Sequence, residues 1–156
     1  MDSFSIILVV VLLILVILSA FFSGSETSIM ALNQIKLDNA EKQGNKSAKI
    51  INSLRKEINR VLGVILIGNN LVNISASALL TFFVIKKFGD EYVWIGTLLL
   101  TIFIIIFAEI APKSFAAKRP ESLAYPASRI LKVLTKYLGS FSEMLTSISN
   151  SLTGIK

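Results

Sequence analysis

Six residues able to hold a cation stand where water is scarce. Glu109 is the only charged residue in the apolar run from Val93 to Ala111. A carboxylate at membrane depth costs at least about 2.5 kcal/mol unless a cation, a proton or a basic side chain shares its site. Asn69, Asn70 and Asn73 fall within the charge-free run Val61–Ile85. Ser19 lies near the end of the charge-free run Phe4–Phe22, and Ser23 one residue beyond it. Hydroxyls, amide carbonyls and one carboxylate are ligands for hard cations such as Mg2+, Ca2+, Na+ or K+. The chain contains no cysteine and no histidine, which excludes disulfides and thiolate or imidazole metal sites. No nucleophile–base pair suggests an enzyme.

Spacing sorts these residues onto helix faces. Ser19 and Ser23 are four apart and share a face, which Glu26 roughly continues. Asn69, Asn73 and Ser77 repeat the spacing of four, while Asn69 and Asn70 point about 100° apart. Periodicity alone leaves open which asparagine faces an ion. Pro112 has no N–H, so a regular helix would leave the Ala108 carbonyl without its partner, directly beside Glu109. Broken helices at transporter ion sites present carbonyls in this way. Glu109 also has Lys113 as its i+4 neighbour, so an ion pair within the helix is the competing explanation. Gly24 permits a close helix approach or a break.

The elements that must position these groups are three transmembrane helices, over about 4–22, 61–85 and 93–111. Each is close to the length of about 20 residues that spans the hydrocarbon core. Their continuous rather than alternating hydrophobicity argues against barrel strands. The fold class expected is an all-α integral membrane protein. The N-terminus Met-Asp-Ser-Phe-Ser has no basic residue and its apolar run is long, so it reads as a span rather than a cleaved signal peptide.

Residues 25–60 keep a helical period through Ile29, Leu32, Leu37, Ile51, Leu54 and Ile58, with a break at Gly44-Asn45. They predict two amphipathic helices on the membrane face. A further amphipathic helix is expected over about 121–138, starting near Pro126, followed by a connector from Ser140 to Lys156. Phe88-Gly-Asp-Glu reads as a short outer loop.

Seven basic residues lie between the first two spans and seven follow the third, against only Lys86 and Lys87 between the second and third. The positive-inside rule places the N-terminus outside and the C-terminus in the cytoplasm. These lysines and arginines read as topology signals rather than nucleic-acid contacts.

The segments Ser19-Ala-Phe-Phe-Ser-Gly-Ser-Glu-Thr, Gly68-Asn-Asn-Leu-Val-Asn and Glu109-Ile-Ala-Pro-Lys-Ser resemble the three signature segments of the CNNM/CorC transmembrane domain. The resemblance covers nearly all of residues 1–156, with the motifs in the right order on the right helices. It implies magnesium transport or efflux in the cell membrane, with sodium as a proposed exchange ion, and a homodimer surrounded by lipid. It also implies a cytoplasmic CBS-pair module in the full-length protein, absent from these residues. By the same resemblance Ser19, Ser23, Asn70, Asn73 and Glu109 map onto the cation site. Gly24, Gly68, Asn69, Ala108 and Pro112 support it. Two other readings remain: a scaffold that senses Mg2+ without moving it, and a sodium transporter using the same oxygens.

Overall fold

The computed structural model describes residues 3–153. Helix α1 (Ser3–Ala31) is followed by the short helices α2 (Gln34–Lys42) and α3 (Lys46–Lys56), then by α4 (Ile58–Phe88). A 3-10 turn (Asp90–Tyr92) leads into α5 (Val93–Phe103), a π-helical segment (Ile104–Ile110) and α6 (Ala111–Lys118). The long α7 (Pro120–Thr153) ends the described chain. Among the described residues there is no strand. Three helical stretches, Ser3–Ala31, Ile58–Phe88 and Asp90–Lys118, are long and apolar enough to cross a membrane.

Four expectations need correction. The first helix does not end near Phe22 but runs to Ala31. Gly24 is buried inside it and serves close approach: a Cβ there would sit 3.0 Å from Leu123 Cδ1 and 3.5 Å from Pro112 Cβ. The amphipathic pair therefore begins at Gln34, not residue 25. Pro112 does not break the third span, which stays helical from Val93 to Lys118. The last helix starts at Pro120, where a proline costs no hydrogen bond, and carries Pro126 in its interior. It also continues well past residue 138, so residues 140–153 are helix rather than connector. The rest of that expected connector, residues 154–156, lies outside the described residues.

Local chemistry explains the turn between α2 and α3. The Asn33 side chain caps α2 by accepting from the Lys36 N–H, and Asn45 caps α3 by accepting from the Ala48 N–H. Gly44 sits between them at φ 87°, a left-handed conformation that glycine adopts without strain.

The buried core lies at the end of the bundle where these short helices sit. Ile29 of α1, Leu37 of α2, Ile51 of α3, Val61 and Ile65 of α4 and Leu131 of α7 are almost wholly enclosed there. The spans elsewhere expose Ile7, Ile17, Leu66, Leu71, Trp94 and Leu99, the surface expected of helices solvated by lipid. Helix α7 turns Ala124, Ala127, Ser128, Leu131 and Thr135 inward at spacings of one, three and four, packing on α1, α3 and α4. Arg129, Lys132 and Lys136 lie on an exposed side of it.

Candidate cation site

Helix α4 presents its asparagines to two different neighbours. Toward α1, Asn69 Oδ1 accepts a 2.9 Å hydrogen bond from Ser19 Oγ. One residue earlier, Gly68 packs against Phe22: a Cβ at Gly68 would fall 2.5 Å from Phe22 Cζ. The second signature segment therefore locks α1 to α4 through a polar pair and a ring seated on a glycine. Asn69 is structural in this arrangement, as its supporting place in the resemblance implies.

On the other side, Asn70 and Asn73 line an open groove, a cavity of about 310 Å3 between α4 and the third span, in which Asn70 is exposed and Asn73 half-buried. Glu109 lines the same cavity, as do Ser77, Thr97 and Thr101. Asn73 stands at the midpoint of α4, so the site lies deep in the span rather than at its mouth. Its Oδ1 is buried without a hydrogen-bond partner. An unsatisfied buried acceptor costs about 1–3 kcal/mol, so a native protein keeps one where something else fills it.

The third span reaches this cavity through its π segment. The Ala111 N–H donates to Ile106 O, five residues back, instead of to Phe107 O. Pro112 has no N–H for Ala108 O. Two successive carbonyls, Phe107 and Ala108, thus lose their α-helical donors. The sequence predicted one freed carbonyl, at Ala108; the wide turn adds the second.

The π segment also aims the carboxylate. Eight α-helical steps from Thr101 would carry Glu109 about 80° past two full turns. Absorbing one residue leaves it only about 20° short of them. Glu109 therefore shares the α4-facing side with Thr97 and Thr101, in agreement with the cavity they line together.

Of the five residues mapped to cation binding, Asn70, Asn73 and Glu109 are brought together in this cavity. Ser19 and Ser23 are not among its lining residues. Ser19 is fully buried and engaged with Asn69. Ser23 is also buried, yet its Oγ has no hydrogen-bond partner. It precedes Gly24, which packs on Pro112, so it sits where α1 crosses the third span. The buried side-chain polar atoms without a partner among the described residues are Ser23 Oγ, Asn73 Oδ1, Arg60 Nε and Thr135 Oγ1. Arg60 Nε still has the Glu143 carboxylate at 3.6 Å.

Lys113 does not pair with Glu109. Its Nζ is 3.5 Å from Glu26 Oε2 on α1, an interfacial ion pair that leaves Glu109 to the cavity. No group of three or more acidic, cysteine or histidine residues is clustered among the described residues. One carboxylate with amides and hydroxyls is the donor set, and oxygen-seeking cations suit it.

The sequence matches the family model of the cyclin M transmembrane N-terminal domain (CNNM) over residues 10–156. It is 44% identical over 135 residues to the UPF0053 inner membrane protein YfjD of Escherichia coli (strain K12), covering 86% of this chain and 32% of that protein. A UPF0053 protein of Haemophilus influenzae is 41% identical over 148 residues, covering 95% of this chain and 35% of the relative. A putative DUF21 domain-containing chloroplastic protein of Arabidopsis thaliana is 36% identical over 139 residues, 88% of this chain and 21% of its own. The chain spans about a third of the length of the two bacterial relatives. With three candidate spans, motifs held at the helix crossings and a family match along nearly its whole length, this multi-pass membrane chain belongs to the CNNM transmembrane-domain family.

Proposed function

We propose that this domain carries Mg2+ across the cell membrane, using the cavity between α4 and the third span as its binding site. The observation that carries the reading is the meeting of Glu109 with Asn70 and the unpartnered Asn73 Oδ1 at mid-span. A site with a single carboxylate attracts a divalent ion without the deep trap that several acids would make. Weak to moderate affinity suits release on the far side. Mg2+ gives up its water reluctantly, so the Asn70 and Asn73 amides hold part of it through retained water. The free Ser23 hydroxyl and the carbonyls of Phe107 and Ala108 are further oxygens available as the helices move. Efflux, with Na+ as the exchanged ion, is the direction the family resemblance favours.

The basic helices support the orientation with the C-terminus in the cytoplasm. Helices α2, α3 and α7 gather at one end of the bundle, so both rich clusters of lysine and arginine face the same compartment. A homodimer and a cytoplasmic CBS-pair module complete the proposed full-length protein, in keeping with relatives about three times as long as the matched region.

The test is Mg2+ flux from liposomes containing the full-length protein, with thermal stabilisation by Mg2+ and by Na+ measured beside it. Glu109→Gln is expected to abolish flux and the Mg2+-dependent rise in Tm. Full flux in that variant would falsify the assignment. Wild-type protein that gains stability from Mg2+ but shows no flux would support a sensor instead. Stabilisation and flux with Na+ alone would support a sodium transporter.

A further inference from the structure

We propose that Ser77, Thr97 and Thr101 form a hydroxyl-lined route that carries the hydrated ion between the Asn–Glu site and the end of the bundle at the Asp90–Tyr92 turn. The inference rests on the reading of the cavity as an ion site and extends it to residues outside the three signature segments.

The geometry of two antiparallel helices carries it. On α4, Asn70, Asn73, Ser77 and Thr81 follow one another at spacings of three, four and four, so they share a face that leads toward Phe88. On the third span Glu109, Thr101 and Thr97 run in the same spatial direction, toward the turn. Ser77, Thr97 and Thr101 line the same 310 Å3 cavity as Glu109. A shallow surface depression of about 570 Å3, lined by α4 alone, shares Ile74 and Ser77 with the first and adds Thr81 further along. Polar groups thus continue beyond the site in one direction, as Thr101 and Thr97 on the third span and as Ser77 and Thr81 on α4.

The hydroxyls suit an ion more than they suit helix packing. Thr101 Oγ1 donates 2.8 Å to Thr97 O on its own helix, which leaves only lone pairs to face the cavity. The side-chain hydroxyls of Ser77, Thr81 and Thr97 form no side-chain hydrogen bond among the described residues. Had they served to tie α4 to α5, they would bond across the interface, as Ser19 bonds Asn69 across α1 and α4. Size agrees. Six waters around Mg2+ occupy roughly 180 Å3 at the liquid share of about 30 Å3 each. The open groove offers more space than that, so it does not force the ion to shed its shell before waters exchange for amide and carboxylate oxygens at the site. The hydroxyls meet the shell, not the metal.

Because this domain has no cysteine, single cysteines report on the route. Full-length protein, with any cysteine elsewhere replaced, is reconstituted in liposomes and treated with a membrane-impermeant thiosulfonate from each side. Ser77→Cys and Thr97→Cys are expected to react at least tenfold faster than the exposed, lipid-facing control Leu99→Cys, and saturating Mg2+ is expected to slow them. The triple variant Ser77→Ala, Thr97→Val, Thr101→Val is expected to lose at least fivefold in Mg2+ flux while keeping the Mg2+-dependent rise in Tm. Cysteines no more reactive than Leu99→Cys overturn the route, as does reactivity that Mg2+ leaves unchanged. If the cysteines are unreactive while Glu109→Gln still abolishes stabilisation, the route falls and the site stands. If Glu109→Gln keeps full flux and stabilisation, the site itself falls, and the route with it.

Discussion

The two sides of the Gly68–Asn73 segment treat the same residue type in opposite ways. Facing α1, Asn69 is satisfied by Ser19, and Gly68 receives the Phe22 ring. Facing the third span, Asn73 keeps a buried acceptor unsatisfied, and Asn70 opens onto a cavity shared with Glu109. Asn69 and Asn73 are both half-buried, and the contrast between them lies in what is left unpaired. A polar group that is fully bonded holds helices together. One left without a partner at mid-span keeps a standing cost that a bound ion can relieve.

That contrast can be broken from either side. The largest effect is expected at Asn73→Leu. Losing a charge-assisted oxygen contact worth about 1.5–3 kcal/mol weakens Mg2+ stabilisation by roughly 10- to 100-fold in concentration. The ion-free Tm is expected to hold or rise, because the unpaired acceptor is gone; a falling Tm would make Asn73 structural. Gly68→Ala comes next, costing about 1–3 kcal/mol because the buried Phe22 ring must move. Chemical or thermal unfolding in detergent measures it, and the ion affinity of the folded fraction is expected to stay within twofold. Ser19→Ala follows at about 0.6 kcal/mol, the mean for hydrogen bonds between membrane helices. A double-mutant cycle with Asn69→Ala isolates that energy, and no coupling would remove Asn69 from its structural role. The smallest effect belongs to Lys113→Met. Its pair with Glu26 is nearly half exposed, so about 0–1 kcal/mol is expected, falling with added salt. A large loss of flux there would point back to Glu109 as the partner of Lys113.

Much of this arrangement was legible before any coordinates. Long apolar runs, two of them free of charge, marked all three spans, and the family resemblance grouped Asn70 and Asn73 with Glu109. The length of α1 was hidden because Ser23, Ser25 and Ser28 read as the end of an apolar run. They are buried instead, and Ser28 Oγ returns to Ser25 O within the helix. The partner of Lys113 was hidden because Glu26 is distant in sequence, whereas Glu109 is an i+4 neighbour. Thr97 and Thr101 escaped notice for a geometric reason. Counted along a regular α-helix they diverge from Glu109, and only the wide turn brings them back into line. Proline at position 112 signals disturbed hydrogen bonding, but it does not tell a kink from a π turn.

The wide turn amounts to a helix with one residue more than its hydrogen bonds need. Remove any one of Ile104, Ile105 or Ile106, and the remaining chain can close into an ordinary α-helix, better bonded than before. Everything after the deletion would keep its composition, its hydropathy and its length to within about 1.5 Å. Glu109 would then follow Thr101 by seven α-helical steps, still about 20° short of two full turns, and keep its place beside Thr97 and Thr101. A protein edited in this way should still enter the membrane, fold and present its carboxylate, but it would lose one freed carbonyl, that of Phe107, which regains the Ala111 N–H. In this span the extra residue is neutral for the direction of the carboxylate and decides which backbone carbonyls stay free.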